Sequence, residues 1–116
     1  MMLNTEAAWL AGYIDGDGSI SMMNQTGRDR KRLLITVDSA DYELIEKVHT
    51  LVGGFVIKKK SYSERHRPVW TWRLTGANKV LALLEEIYPY MGCNFKRARA
   101  KLLLDHWRDT TPRNGQ

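Results

Sequence analysis

Cysteine, histidine and long apolar runs are all scarce in this 116-residue chain. Cys93 is the only cysteine, which excludes an intrachain disulfide and fits a reducing compartment without requiring one. His49, His66 and His106 lack the spacing of metal ligands, so we expect no zinc site. No apolar stretch approaches the length of a membrane span, and residues 1–6 lack the basic start and apolar run of a signal peptide. We therefore expect an intracellular protein, in a host cytoplasm or nucleoid or in an organelle matrix.

The size and charge of the chain favour one domain with a polyanionic partner. We expect a single domain over residues 1–109 and a polar, disordered tail over residues 110–116. The net charge of +5 favours nucleic acid, although many basic proteins bind none. The basic residues fall into clusters, which strengthens this expectation: Arg28, Arg30, Lys31 and Arg32; Lys58 to Lys60; Arg65 and Arg67; and Lys96, Arg97, Arg99 and Lys101.

Apolar periodicity predicts an α+β fold. Leu33, Ile35 and Val37 alternate with more polar neighbours, which is typical of a half-buried strand. The pattern predicts helices at about 5–17, 41–52, 77–88 and 94–108 and strands at about 19–25, 31–38, 55–60 and 68–74, with a turn at 26–29. We expect an αββαββα core with a four-stranded antiparallel sheet and helices on one face.

The sheet face opposite the helices is the candidate nucleic-acid surface. A β-ribbon can enter the major groove of B-DNA, where base edges are distinguishable. Plain solvent exposure would also explain polar side chains here, but the net charge favours DNA. We expect DNA contacts from Ser21, Met23, Gln25, Arg28, Arg30, Arg32, Thr36, Lys59, Thr71 and Arg73.

Small and acidic residues are combined on the first predicted helix. Ala8, Gly12 and Gly16 follow one another at intervals of four, and a helix face without bulk lets a second helix approach closely. Interior glycine costs about 1 kcal/mol relative to alanine, so close packing would explain Gly12. Two copies meeting on this face would bring their carboxylates together, an arrangement that favours Mg²⁺. The alternative is an amphipathic helix with a glycine C-cap and a solvated acidic turn.

Residues 10–18, LAGYIDGDG, resemble the LAGLIDADG motif of homing endonucleases, differing only at Tyr13 and Gly16. Over roughly residues 5–108, the resemblance implies a saddle-shaped sheet over double-stranded DNA and a homodimer packed through its motif helices. It implies a near-palindromic target and metal-dependent double-strand cleavage. The implied cofactor is Mg²⁺, with Mn²⁺ as a substitute and with Ca²⁺ supporting binding without cleavage.

The same resemblance assigns roles at the acidic end of the helix. Asp17 matches the metal ligand, Gly18 adds a backbone carbonyl ligand, and Asp15 contributes to the helix–helix contact together with Ala8, Gly12 and Gly16. The family's active-site lysine matches Lys96, with Arg97 as the alternative. This residue would polarise the attacking water or neutralise charge in the transition state.

One departure from the family affects the expected site. Ser39 stands where many members carry a glutamine that orders water near the metal, and a serine side chain reaches less far. Asp38 could instead supply an extra carboxylate.

Two other functions compete with a DNA endonuclease. A nucleic-acid-binding module of the same fold, either an RNA maturase or a DNA-binding regulator, would keep the surface and lose cleavage. A structural domain with an incidental basic face would need no sheet arginines. The presence of Asp17 together with Lys96 favours the enzyme.

Overall fold

Two antiparallel strand pairs, each preceded by a helix, form the first part of the chain. The computed structural model describes residues 2–24, 31–59 and 68–110. Its elements are α1 (Asn4–Asp17), β1 (Gly18–Asn24), β2 (Lys31–Ser39), α2 (Tyr42–Val52), β3 (Phe55–Lys59), β4 (Val69–Thr75), α3 (Ala77–Ile87), a 3₁₀ turn (Tyr88–Tyr90) and α4 (Asn94–Thr110). This arrangement confirms the predicted α+β fold.

The four strands form one antiparallel sheet in the order β1-β2-β4-β3. The central β2–β4 pair aligns Ile35 with Leu74 and Val37 with Trp72, and all four of these side chains are buried. Paired residues of an antiparallel ladder share one face, so this face carries the core. The alternation predicted for β2 is confirmed.

The helices cover this apolar face. Leu10 and Ile14 of α1, Ile45 of α2 and Leu84 of α3 are all inaccessible to solvent and belong to the same core as the buried strand residues. Burial of such side chains is the main favourable term in folding. Within the ranges described above, no helix combines the length and apolar character needed to cross a membrane.

Element ends differ from the predicted ones where local chemistry is specific. The third helix stops at Ile87, and a 3₁₀ turn containing Pro89 follows, since proline supplies no N–H to continue the helical ladder. The last helix continues to Thr110, one residue into the predicted tail. Residues 111–116 and the predicted turn at 26–29 lie outside the described residues.

The link between α2 and β3 consists of two glycines with positive φ, 88° at Gly53 and 90° at Gly54. The Gly53 carbonyl accepts a hydrogen bond of 2.7 Å from the buried indole of Trp72. A Cβ at Gly54 would lie 2.6 Å from the Arg73 carbonyl oxygen, whereas one at Gly53 would meet no described atom within 4 Å. A side chain at either position would therefore be strained by the positive φ, but only at position 54 would it also lack space.

This difference predicts unequal effects of the two alanine substitutions. Gly53→Ala should cost about 1–3 kcal/mol, because only the positive φ is unfavourable. Gly54→Ala should cost at least about twice as much, because its Cβ also collides with the β4 backbone. Urea unfolding of both variants measures the difference. Equal losses would show that space beside Gly54 is not limiting.

Candidate active site and nucleic-acid interface

Ala8, Gly12 and Gly16 form a small-residue face on α1 that stays exposed in the single chain. A Cβ added at Gly12 or Gly16 would have no described atom within 4 Å. The core-facing residues Leu10 and Ile14 lie on the other side of the same helix. The helix thus has one face packed in its own chain and a second face open to a partner.

Asp15 lies beside this small-residue face and connects α1 to the segment before α4. Its Oδ2 accepts a 2.7 Å hydrogen bond from the Gly92 backbone N–H. Its Oδ1 is buried and has no partner among the described residues. Sequence reasoning missed the bond to Gly92. The predicted role of Asp15 in a helix–helix contact stays a prediction.

Asp17 is the last residue of α1, and its side chain is exposed. The next residue, Gly18, already belongs to β1, so the helix passes into the sheet without a loop. A Cβ at Gly18 would lie 2.9 Å from the Ile14 Cα, which makes glycine necessary at this transition. The carboxylate therefore stands at a fixed junction between helix and sheet.

Lys96 lies at the same end of α1. Its Nζ donates to the carbonyl oxygens of Ile14 at 2.9 Å and of Asp15 at 2.7 Å. A cation is stabilised there, because the last carbonyls of a helix carry the negative end of its dipole. The contact places a positive charge within one helical turn of Asp17.

Arg97, the alternative to Lys96, has a different position. Its Nη1 donates to the Met91 carbonyl at 3.3 Å, and its guanidinium lies 4.5 Å from the centre of the Tyr88 ring. Both contacts hold Arg97 against the segment before α4. The geometry therefore favours Lys96 over Arg97 as the positive charge beside the end of α1 that carries Asp17.

The side chains of one chain supply only some of the ligands that a magnesium ion needs. No group of three or more His, Cys, Asp or Glu side chains that could hold a metal occurs in the described part of the chain. The exposed Asp17 carboxylate is nevertheless a hard oxygen ligand, and Mg²⁺ is commonly held by one or two carboxylates plus waters and substrate phosphates. The residues present fit a metal that gains its other ligands from a second chain, DNA or water.

Asp38 is bonded to side chains of β3 and β4. It lies on the sheet face opposite the helices, where its carboxylate accepts hydrogen bonds of 2.6 Å from Lys59 Nζ and of 2.6 Å from Thr71 Oγ1. The carboxylate is thus already paired within the sheet. The hypothesis that Asp38 supplies an extra carboxylate to the metal stays a prediction.

Ser39 ends β2 near Asp17, since the register pairs Val37 with Gly18. Its Oγ accepts a 2.9 Å hydrogen bond from the Asp41 N–H at the start of α2. The predicted catalytic roles of Ser39, Asp17 and Lys96, and the predicted carbonyl ligand at Gly18, stay predictions. The structure brings all four residues to one end of the domain.

Tyr13, one turn before Asp17, also belongs to this end. Burial raises the pKa of its phenol, the Ser39 side chain lowers it, and the carboxylates of Asp17 and Asp41 raise it, so the net pKa lies above the ordinary 10.0. The phenol is therefore a protonated donor at neutral pH. Its hydroxyl has no hydrogen-bond partner among the described residues.

The strand register places the expected DNA contacts on one face, which we call the open face. Its members among the expected residues are Ser21, Met23, Arg32, Thr36, Lys59, Thr71 and Arg73. Gln25, Arg28 and Arg30 lie outside the described residues. The shared face is the one expected for DNA, whereas contact with DNA stays a prediction for each residue.

Not every side chain of the open face is equally available. Thr71 is only 6% exposed and donates to Asp38, so the structure does not support its expected direct contact with DNA. The Lys59 ammonium forms a salt bridge with the same carboxylate. Arg32 is exposed and Arg73 half-buried. Sequence reasoning also missed two apolar members, Phe55 and Ile57, which are 63% and 46% exposed.

The chain is an α+β domain with an αββαββα core, a small-residue helix face, an acidic helix end and an open sheet face that carries arginine. Residues 4–88 match the family described as LAGLIDADG-like domain, and the chain belongs to this family. The match confirms the resemblance seen in residues 10–18.

Two curated relatives are similar to most of the chain. The intron-encoded DNA endonuclease ai2b of Dictyostelium discoideum is 27% identical over 106 residues, covering 90% of this chain and 40% of the relative. The DNA endonuclease I-CvuI of Chlorella vulgaris is 26% identical over 104 residues, covering 84% of this chain and 60% of the relative. The chain thus spans less than two thirds of either protein.

Solved structures share the fold. The homing endonuclease I-CvuI in complex with its target, in the presence of 2 mM Ca, superimposes with a TM-score of 0.71 at 24% identity, over 92% of this chain and 68% of that one. The archaeal intron-encoded homing endonuclease I-Vdi141I complexed with DNA gives 0.65 at 14% identity, over 91% and 70%. At these identities the likeness shows the fold.

The open-face ion pair predicts a pH-dependent contribution to stability. Partial burial raises the pKa of Asp38, but hydrogen bonds from Lys59 and Thr71 and the charges of Lys59 and Arg73 lower it, to a net value below the ordinary 3.8. A lowered folded-state pKa gives stability that is present above the unfolded value and is lost as pH falls through the folded one.

Lys59→Met should therefore reduce the free energy of unfolding at pH 7 by at most about 1 kcal/mol, because the pair is partly exposed. The loss should shrink as the pH is lowered from 7 to 2, because the ion pair weakens as the pH falls through the folded-state pKa of Asp38. Lys58→Met is the matched control, with no expected pH dependence, since Lys58 lies over Trp70 instead. Urea unfolding at both pH values measures the effect. A Lys59→Met loss independent of pH would contradict the assignment.

Proposed function

We propose that this chain is a sequence-specific DNA endonuclease that works as a homodimer and makes metal-dependent double-strand breaks in a near-palindromic target. The observation that carries the proposal is the end of α1, where the exposed Asp17 and the docked Lys96 lie next to an open small-residue face. The endonuclease names of the two relatives support this activity.

Each group at the helix end has a role in phosphodiester hydrolysis. Asp17 and the Gly18 carbonyl would hold Mg²⁺, or Mn²⁺ in its place, and the bound metal supplies an activated water and stabilises charge on the phosphate. Lys96, held by two backbone carbonyls, adds a fixed positive charge near the reacting phosphate. Ca²⁺ should support binding without cleavage.

The small-residue face of α1 is the surface through which the two copies of the homodimer would pack. Gly12 and Gly16 permit backbone contact between two copies of α1, which would place both Asp17 carboxylates near one axis. A two-fold pair presents the same surface twice, so its target is nearly palindromic. The open faces of both chains would then follow the major groove, with Arg32 and Arg73 among the contacts.

The cleavage experiment uses Asp17→Asn on a duplex selected for binding. The substitution removes a metal ligand and relieves repulsion of phosphate, so Mg²⁺-dependent cleavage should disappear while binding in Ca²⁺ is unchanged or tighter. Asp105→Asn is the matched control, because it changes the same charge at a residue paired with Lys101 on α4. It should cleave like wild type.

Two results would contradict the proposal in different ways. Cleavage by Asp17→Asn at the wild-type rate would remove the assigned site. Tight binding by wild type without cleavage of any selected duplex would favour the binding module, a DNA-binding regulator or, if RNA binds better, a maturase.

The assembly experiment uses Gly12→Leu. Wild type should be a dimer by light scattering, and the variant should be monomeric, because a leucine side chain blocks backbone contact between helices. The folded chain should tolerate it, since nothing described lies within 4 Å of a Cβ there and leucine favours helix. Asn78→Leu, at an exposed position of α3, is the control and should remain dimeric. A monomeric wild type, with and without DNA, would exclude the homodimer.

A further inference from the structure

Lys96 belongs to a helix end that disfavours a cation. It is the third residue of α4, and the first turn of this helix carries Lys96 and Arg97 but no acidic residue. The N-terminal end of a helix is the positive end of its dipole, so a cation is repelled there. Lys96 is stabilised instead by the negative end of α1, through its bonds to the carbonyl oxygens of Ile14 and Asp15. Its position therefore depends on how the start of α4 is held against α1.

Asp15 makes two of the contacts that hold the start of α4. Its side-chain Oδ2 accepts from the Gly92 N–H at 2.7 Å, and its main-chain carbonyl oxygen accepts from Lys96 Nζ at 2.7 Å. Gly92 directly precedes Cys93, whose carbonyl accepts the 2.8 Å hydrogen bond from the Arg97 N–H that begins α4. The Asp15 carboxylate thus fixes the backbone where α4 starts and supplies the negative charge that its first turn lacks.

We propose that Asp15 is a positioning residue, whose carboxylate holds Gly92 and thereby fixes Lys96 beside Asp17 for the cleavage reaction. The proposal rests on the proposed function, in which Lys96 is the positive charge near the reacting phosphate. A charge that is fixed in advance lowers the barrier without reorganising during the reaction. Displacement of such a group by about 1 Å can reduce a rate by a factor on the order of 100.

This role is separate from the expected contribution of Asp15 to a helix–helix contact between two chains. The bonds to Gly92 and Lys96 lie within one chain and are formed without a partner. If Asp15 acts through these bonds, its effect on cleavage requires Lys96. If it acts through the dimer contact, its effect is independent of Lys96.

A double-mutant cycle on single-turnover cleavage distinguishes the two roles. Asp15→Ala removes the acceptor and should slow cleavage by about tenfold to a hundredfold, with the dissociation constant for DNA in Ca²⁺ unchanged. Added to Lys96→Met, Asp15→Ala should slow cleavage no further, because the charge that it would displace is already absent. Asp15→Asn keeps a carbonyl oxygen for the Gly92 N–H, so it should recover most of the rate.

The same hydrogen bond can be broken from the side of its donor. Gly92→Pro removes the N–H and should slow cleavage as Asp15→Ala does. The preceding Met91 already has the extended backbone that is favoured before proline, with φ −72° and ψ 133°. Gly92→Ala is the matched control, because it keeps the N–H and its Cβ would lie 3.8 Å from Asp15 Oδ2, an ordinary van der Waals distance. It should cleave like wild type.

The cycle on thermal unfolding needs neither DNA nor metal. Lys96→Met removes both hydrogen bonds to the end of α1 and should lower the Tm of the wild-type chain. In Asp15→Ala the start of α4 is already released, so Lys96→Met should lower Tm by less. Equal shifts in the two backgrounds would show that Asp15 does not hold Lys96 and would overturn the positioning role.

Failure of this proposal differs from failure of the proposed function. Wild-type cleavage by Asp15→Ala, or a loss that persists in Lys96→Met, would overturn the positioning role while the endonuclease stands. A monomeric Asp15→Ala by light scattering would assign its effect to the dimer contact and would overturn the positioning role as well. A wild type that cleaves no selected duplex would remove the endonuclease, and the Tm cycle would still decide whether Asp15 holds Lys96.

Discussion

The contact between Gly18 and Ile14 is the constraint on which the candidate site depends. Because Gly18 has no Cβ, α1 can run directly into β1, with the Gly18 N–H still bonded to the Ile14 carbonyl. That carbonyl also accepts from Lys96, which ties α4 to the same point. The absence of a side chain at Gly18 thus allows Asp17, Lys96 and the edge strand β1 to lie together. Any side chain at position 18 would separate them.

The chain gives each of its surfaces a different electrostatic character. The small-residue face of α1 carries no charge at Ala8, Gly12 and Gly16, which suits close contact between helices. The open face combines exposed arginine with apolar Phe55 and Ile57, and its one described acid, Asp38, is neutralised by Lys59. If the proposed function is right, such a surface would attract the phosphate backbone of DNA and offer apolar contacts to its bases.

Local patterns predicted the elements well, whereas contacts between distant segments could not be read from the sequence. Alternation of Leu33, Ile35 and Val37 identified β2 because one of its faces is buried and the other is not. The bond from Gly92 to Asp15 joins residues 77 positions apart, and no periodicity encodes it. The role of Asp38 likewise depends on the β2–β4 register. That register follows from the packing of the whole sheet rather than from any local signal.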